Sequence, residues 1–274
     1  AALVGMGQMY YVFFSLLLML VSLLARIIES KRIKGNLGNI LIIFVTILFF
    51  LVTAIFPKIC YGWIAGENPL AGIRYGFESE NYGLKIIQLL LPVSYSKIQK
   101  LANITLSYST TAPIVTDNSF SSLGLIGSLG FLLLCVCLFA RLWTQGNERF
   151  KTLSAMSFMV LCLVLYSTVG GFGTLVAYLI SPQIRALNRS SIFISCLCLS
   201  AIALIMEKIF CKKNRFLQIL IAFLILTIGL FDQFHMFEIH WQDGTIEQQR
   251  DYESFFNTIS DQMDEEAIIY QLPY

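Results

Sequence analysis

The sequence predicts an all-α polytopic membrane protein with about six transmembrane helices. Three observations carry this reading. Of the 274 residues, 57% are hydrophobic and only 13% charged, with a mean hydropathy of +0.72; a soluble domain is nearer half apolar and a quarter charged. Six segments approach the roughly 20 apolar residues that a helix needs to cross a bilayer. Lysines and arginines recur in every second connection between those segments. No sustained alternation of apolar and polar residues competes with helix, and a backbone inside lipid must satisfy its own hydrogen bonds.

The predicted spans are roughly 4–25, 37–56, 121–140, 153–172, 186–206 and 216–232. The 26–36 loop carries Arg26, Lys31, Arg32 and Lys34. The 141–152 loop carries Arg141, Arg149 and Lys151, and the 207–215 loop carries Lys208, Lys212, Lys213 and Arg215. One topology places all three in the cytoplasm. The 57–120 loop, the 173–185 connection and the C-terminal tail then face outward, and the expected location is a bacterial inner (plasma) membrane. The predicted division is a membrane domain over 1–232 and the start of an extracytoplasmic α/β domain over 233–274. The first residues lack an initiator Met and already read as helix, so the chain is expected to be an internal piece of a longer protein.

The 57–120 loop is too long for a plain connection. Its apolar run Leu84–Leu91 is too short to span and ends at Pro92, which suits an interfacial or re-entrant helix. Tyr75, Tyr82 and Tyr95 suit the headgroup level. Such a loop either supports the fold or covers an outward cavity lined by Arg74, Glu78, Glu80, Tyr82 and Lys85, with Asp232 at the outer end of the sixth span.

In "STVGGFGTLVAYLI", Gly170, Gly171 and Gly173 permit a helix break or close packing. In "SPQIRALNRSS", Ser181 reads as an N-cap and Pro182 as the first helical residue. A helix from there to about Met206 puts Arg185 and Arg189 on one face, beside Asn188. Ser191, Ser195 and Cys198 continue a stripe of small residues that can pack on a neighbour. Two arginines at a helix N-terminus suit a phosphate group. The competing reading is that both reach lipid headgroups or pair with acids of the long loop.

The tail from His235 onward holds nine acidic residues against Arg250 alone. "DGTIEQQRDYESFFNTISDQM" reads as an amphipathic helix whose capping box is Thr245 and Gln248. "AIIYQLP" after it reads as a strand. His235, Glu238 and His240 are not expected to hold a metal. The seven cysteines show neither disulfide nor metal spacing. No nucleophile set appears, no cofactor is expected, and the scattered basic clusters argue against nucleic acid. No acidic residue sits deep in a span, which argues against an ion-coupled transporter.

The stretches "NPLAGIRYGFESENYGLKIIQLLLPV", "DNSFSSLGLIGSLGFLLL", "GGFGTLVAYLISPQIRALNRSSIFISCLCLSAIAL", "GLFDQF" and "IIYQLPY" resemble, in this order, a group of bacterial polytopic proteins. That group is similar to the GT-C class of membrane glycosyltransferases and to YfhO-like proteins. The resemblance implies a polyprenyl-phosphate sugar donor, a cell-envelope acceptor and an outward-facing site. It places the catalytic acid in an outer loop upstream of Ala1, so no catalytic residue is carried over. Arg185, Arg189 and Asn188 are then the candidates for the lipid phosphate. The alternatives are a non-catalytic carrier of lipid precursors and an envelope scaffold, with membrane lipids as the partners.

Overall fold

The computed structural model describes residues 8–30, 37–66, 74–93, 96, 98–112, 121–140, 148–210, 214–233 and 243–262. The chain forms two compact units, Ala1–Gln233 and Phe234–Tyr274. Among the described residues the structure is helical, without strands; one isolated parallel bridge joins Leu84 and Thr168.

The first unit contains α1 (Met9–Ser30), α2 (Leu37–Ala65), α3 (Glu78–Asn81), α4 (Ile86–Leu90), α5 (Gln99–Thr111), α6 (Gly124–Ala140), α7 (Glu148–Ser167), α8 (Phe172–Leu179), a 3-10 turn (Leu187–Ser190), α9 (Ser191–Phe210) and α10 (Arg215–Gln233). The second contains α11 (Asp243–Gln262). Among the described residues four segments are long and apolar enough to cross a membrane: Gly38–Ile64, Phe150–Ser167, Leu187–Phe210 and Arg215–Gln233. Met9–Leu24 and Gly124–Ala140 are shorter apolar helices.

Helices in lipid gain little from burying apolar surface against one another, so close packing must hold them. The centre of the bundle meets this with small residues and aromatic rings. A Cβ on Gly130 of α6 would stand 2.5 Å from the carbonyl oxygen of Cys198, so the two backbones touch. Cys198 and Ala201 of α9 are fully buried there. The small-residue stripe expected on this helix therefore packs at Cys198. Phe14 of α1 meets Tyr166 of α7 edge-on at 6.3 Å and Phe193 of α9 at 5.9 Å.

Several expectations are corrected. The second helix does not stop before Pro57; it continues to Ala65 with Pro57 inside. Proline in a membrane helix is tolerated where neighbouring groups absorb the freed carbonyl. The long loop also holds a helix, α5, that the apolar pattern does not announce. Finally, no helix starts at Ser181. Pro182 and Gln183 form a turn, residues 184–186 are irregular, and the α-helix begins at Ser191. Ala186 sits at φ −78°, ψ 73°, and the Leu187 N–H donates to the Arg185 carbonyl at 2.9 Å. This is an inverse γ-turn. It buries Leu187 completely and lets the Asn188 N–H donate to the Tyr82 carbonyl at 3.0 Å. Arg185 and Arg189 thus do not share a helix face.

The fourth span ends at Ser167, short of the expected residue 172. Gly170 takes φ +71°, which only glycine adopts freely. A Cβ on Gly173 would stand 2.5 Å from Leu187 Cδ1. These glycines thus serve both expected roles, breaking the helix and allowing close approach. The expected strand "AIIYQLP", His235, Glu238, His240, Cys211 and Tyr95 lie outside the described residues. So do the side chains of Thr245 and Gln248; the helix there already starts at Asp243.

Candidate functional site

Residues 74–91 form a strap over one end of the bundle. Its backbone is tied down at several points. The Leu84 N–H donates to the Ser167 carbonyl at 2.8 Å, and Val169 N–H returns to the Leu84 carbonyl at 3.1 Å. Leu123 N–H donates to the Leu89 carbonyl at 3.1 Å, and Ser122 Oγ to the Leu91 carbonyl at 2.6 Å. Leu84 and Leu89 are fully buried, while Ile86 and Ile87 are exposed. The apolar run therefore makes one short helix, α4, that anchors two leucines. The strap end of the bundle holds the N-termini of α1, α6 and α9 and the C-termini of α7 and α10. The helix ends that flank the three basic loops lie at the other end.

The strap collects most of the side chains that the sequence singles out. Arg185 Nη1 forms an ion pair with Glu78 Oε2. Its guanidinium lies 5.3 Å from the centre of the Tyr82 ring. Hydrogen bonding to Arg185 holds the Glu78 carboxyl below its ordinary value, against the opposing effect of burial. Glu78 in turn raises Arg185. Arg74 Nη1 donates to Gln183 at Oε1 (2.9 Å) and at the carbonyl (3.2 Å). The Gly170 N–H donates to Glu80 Oε2 at 3.0 Å. Lys85 lies 5.6 Å from the Tyr108 ring of α5.

Arg189 has a different setting. Its guanidinium covers the Tyr10 ring at 4.4 Å, and Nη1 donates to Gln8 Oε1 at 2.7 Å, from 181 residues away in sequence. Among the described residues no carboxylate neutralises it. Arg189 thus stands against the start of α1, whereas Arg185 stands against the strap. Asn188 is half-buried between them and is fixed through its backbone to Tyr82. Gln8, Tyr10, Gln183 and the Gly170 N–H are partners that sequence reasoning missed. Nothing in a single apolar run shows which distant polar group it will meet.

Asp232 belongs to the same end of the bundle but does another task. Its Oδ2 accepts the Leu125 N–H at 2.6 Å and so caps α6. Gly124 takes φ +69° beside it, where a Cβ would collide with Gln233 Nε2 at 2.2 Å. The three carboxylates Glu78, Glu80 and Asp232 are therefore all engaged. Among the described residues no group of three His, Cys, Asp or Glu side chains gathers to hold a metal. What this end can do chemically is bind an oxyanion at Arg189, with Arg185 beside it.

No family model, curated protein or solved structure matches this chain.

Proposed function

We propose that the chain is the lipid-phosphate-binding part of a membrane glycosyltransferase-like protein, handling a polyprenyl-phosphate sugar for transfer to a cell-envelope acceptor. The observation that carries this reading is Arg189, a cation without a carboxylate partner among the described residues, stacked on Tyr10 at the strap end. A guanidinium held in this way keeps donors directed at a phosphate. Arg185 is the second contact, once its bond to Glu78 is shared with the ligand.

In this reading six helices cross a bacterial inner membrane, with the 26–36, 141–152 and 207–215 loops in the cytoplasm. The strap and the C-terminal unit, Phe234–Tyr274, lie outside, where lipid-linked sugars are used in envelope assembly. Among the described residues Glu78 is ion-paired and Glu80 and Asp232 each accept a backbone N–H, and the resemblance places the catalytic acid in another part of the protein. That observation equally favours a second reading, a carrier of lipid precursors without catalysis.

Titrating the purified chain with a polyprenyl-phosphate sugar tests the binding. Arg189→Ala should weaken binding at least about tenfold, the scale of one charge-assisted hydrogen bond. Arg189→Lys should recover only part, because an ammonium lacks the planar fork. Unchanged affinity in Arg189→Ala overturns the assignment. A carboxylate whose removal abolishes turnover but not binding would favour transfer over carriage.

A further inference from the structure

We propose that a phospholipid with a primary-amine headgroup sits in a lateral groove between α9 and α10, with its ammonium on Asp232. The site is separate from the arginine site and does not depend on it.

The groove exists because α10 leans on α6 and leaves a gap beside α9. It has a volume of about 510 Å³ and is walled by Ile126, Leu199, Ile202, Ala203, Ile225 and Leu226. That size falls in the ~300–1,000 Å³ range of ligand sites. A second cleft of about 210 Å³ continues it along the same two helices, sharing Met206, Ala222 and Ile225. From Ala222 to Gln233 the helix rises about 16 Å. That is about half of the ~30 Å hydrocarbon core, the depth of one leaflet. The walls belong to helices apolar enough to cross a membrane. A hydrocarbon tail is the chemistry that fits.

The mouth decides the headgroup. It is formed by Ser122, Asp232 and Gln233, and among the described residues Asp232 is the one ionisable residue lining the groove. No lysine or arginine among the described residues lines it. Among the described residues Asp232 has no cationic partner. Its bond to the Leu125 N–H uses one of about four acceptor positions on the carboxylate. A headgroup whose only charge is negative meets repulsion there. An ammonium meets a fixed carboxylate, with the Gln233 amide beside it for the headgroup's remaining polar atoms.

The test uses the full chain in detergent, offered equal amounts of dioleoyl phosphatidylethanolamine and dioleoyl phosphatidylglycerol, with retained lipid identified by native mass spectrometry. The ethanolamine lipid should be retained about tenfold over the glycerol lipid, as one charge-assisted bond implies. Asp232→Asn should bring the ratio near one, since Asn caps a helix as well as Asp and removes only the charge. Ala203→Phe should fill the groove and abolish retention of both lipids while helicity is unchanged. Equal retention by the unaltered chain overturns the proposal, and so does ethanolamine-lipid retention that survives Ala203→Phe. Formation of a dimer that excludes lipid from the unaltered chain would assign the groove to a second copy instead.

Discussion

Arg185 and Glu78 are closed on each other although 107 residues separate them in the chain. The pair joins the strap to the γ-turned segment that leads into α9, so it holds two irregular stretches in one place. Glu78→Gln should release the strap, read as faster hydrogen exchange over 74–91. The double exchange Glu78→Arg with Arg185→Glu should restore slow exchange. The pH dependence has a defined sign. The Glu78 carboxyl lies lower in the folded chain than its ordinary 4.5, so its stabilisation is complete above that value. It is lost as pH falls through the lowered value. Strap exchange, corrected for the intrinsic rate, should accelerate on that acidic side and should stay flat in Glu78→Gln.

Tyr10 is the floor under Arg189. Removing the ring with Tyr10→Leu should lower affinity for a lipid phosphate a few-fold, matching a cation–π contact of about 0.5–1 kcal/mol. Tyr10→Phe keeps the ring and should bind as the unaltered chain does. Titration of both variants against the same ligand separates the ring's role from that of the hydroxyl.

Gly130 sets the distance between α6 and α9. Gly130→Ala places a Cβ 2.5 Å from a backbone carbonyl that cannot swing aside. The helices must part, at a cost of about 1–3 kcal/mol, typical of an overfilled core. Gly170→Ala meets no neighbouring atom, so its cost is the left-handed backbone alone, about 1–2 kcal/mol. Thermal unfolding in detergent should rank Gly130→Ala as at least as damaging as Gly170→Ala.

Asp232→Ala should destabilise the chain by about 0.5–2 kcal/mol through loss of the cap on α6, whereas Asp232→Asn should be close to neutral. Thermal melts of the two variants check this. Equal loss in both would mean that the charge, and not the acceptor, holds α6.

The long helices were legible because lipid imposes a simple composition on them, and each long apolar run coincides with one. What was not legible follows from two physical causes. The first is tolerance. Pro57 normally ends a helix in water, and here the helix runs past it. Helix α5 is rich in Ser and Thr, which are poor helix formers, yet several of its hydroxyls bond back within the helix, and Thr105 Oγ1 donates to the Pro92 carbonyl at 2.7 Å. Ser109, Thr110 and Thr111 donate back to the carbonyls of Leu106 and Ser107. The second cause is tertiary. Ser181 and Pro182 have the local chemistry of a helix start, but the chain from there to Ser191 turns instead, burying Leu187 and forming the Asn188–Tyr82 backbone bond. The candidate site was half readable. Arg185, Glu78, Tyr82 and Arg189 were all singled out, and the alternative that an arginine pairs with a loop acid holds for Arg185. Gln8 and Tyr10 carried no mark, because their role exists only once α1 stands beside the 3-10 turn.

Helix α10 has no buried residue, although it is long and apolar enough to cross a membrane. Its stability in the bilayer therefore rests mainly on its own partition into lipid, with a tie to α6 through Asp232. Such a helix can enter the membrane as an autonomous unit during synthesis, before or without docking. A chain ended before Arg215 should still assemble α1, α6, α7 and α9 around their shared core, losing the groove but not the strap.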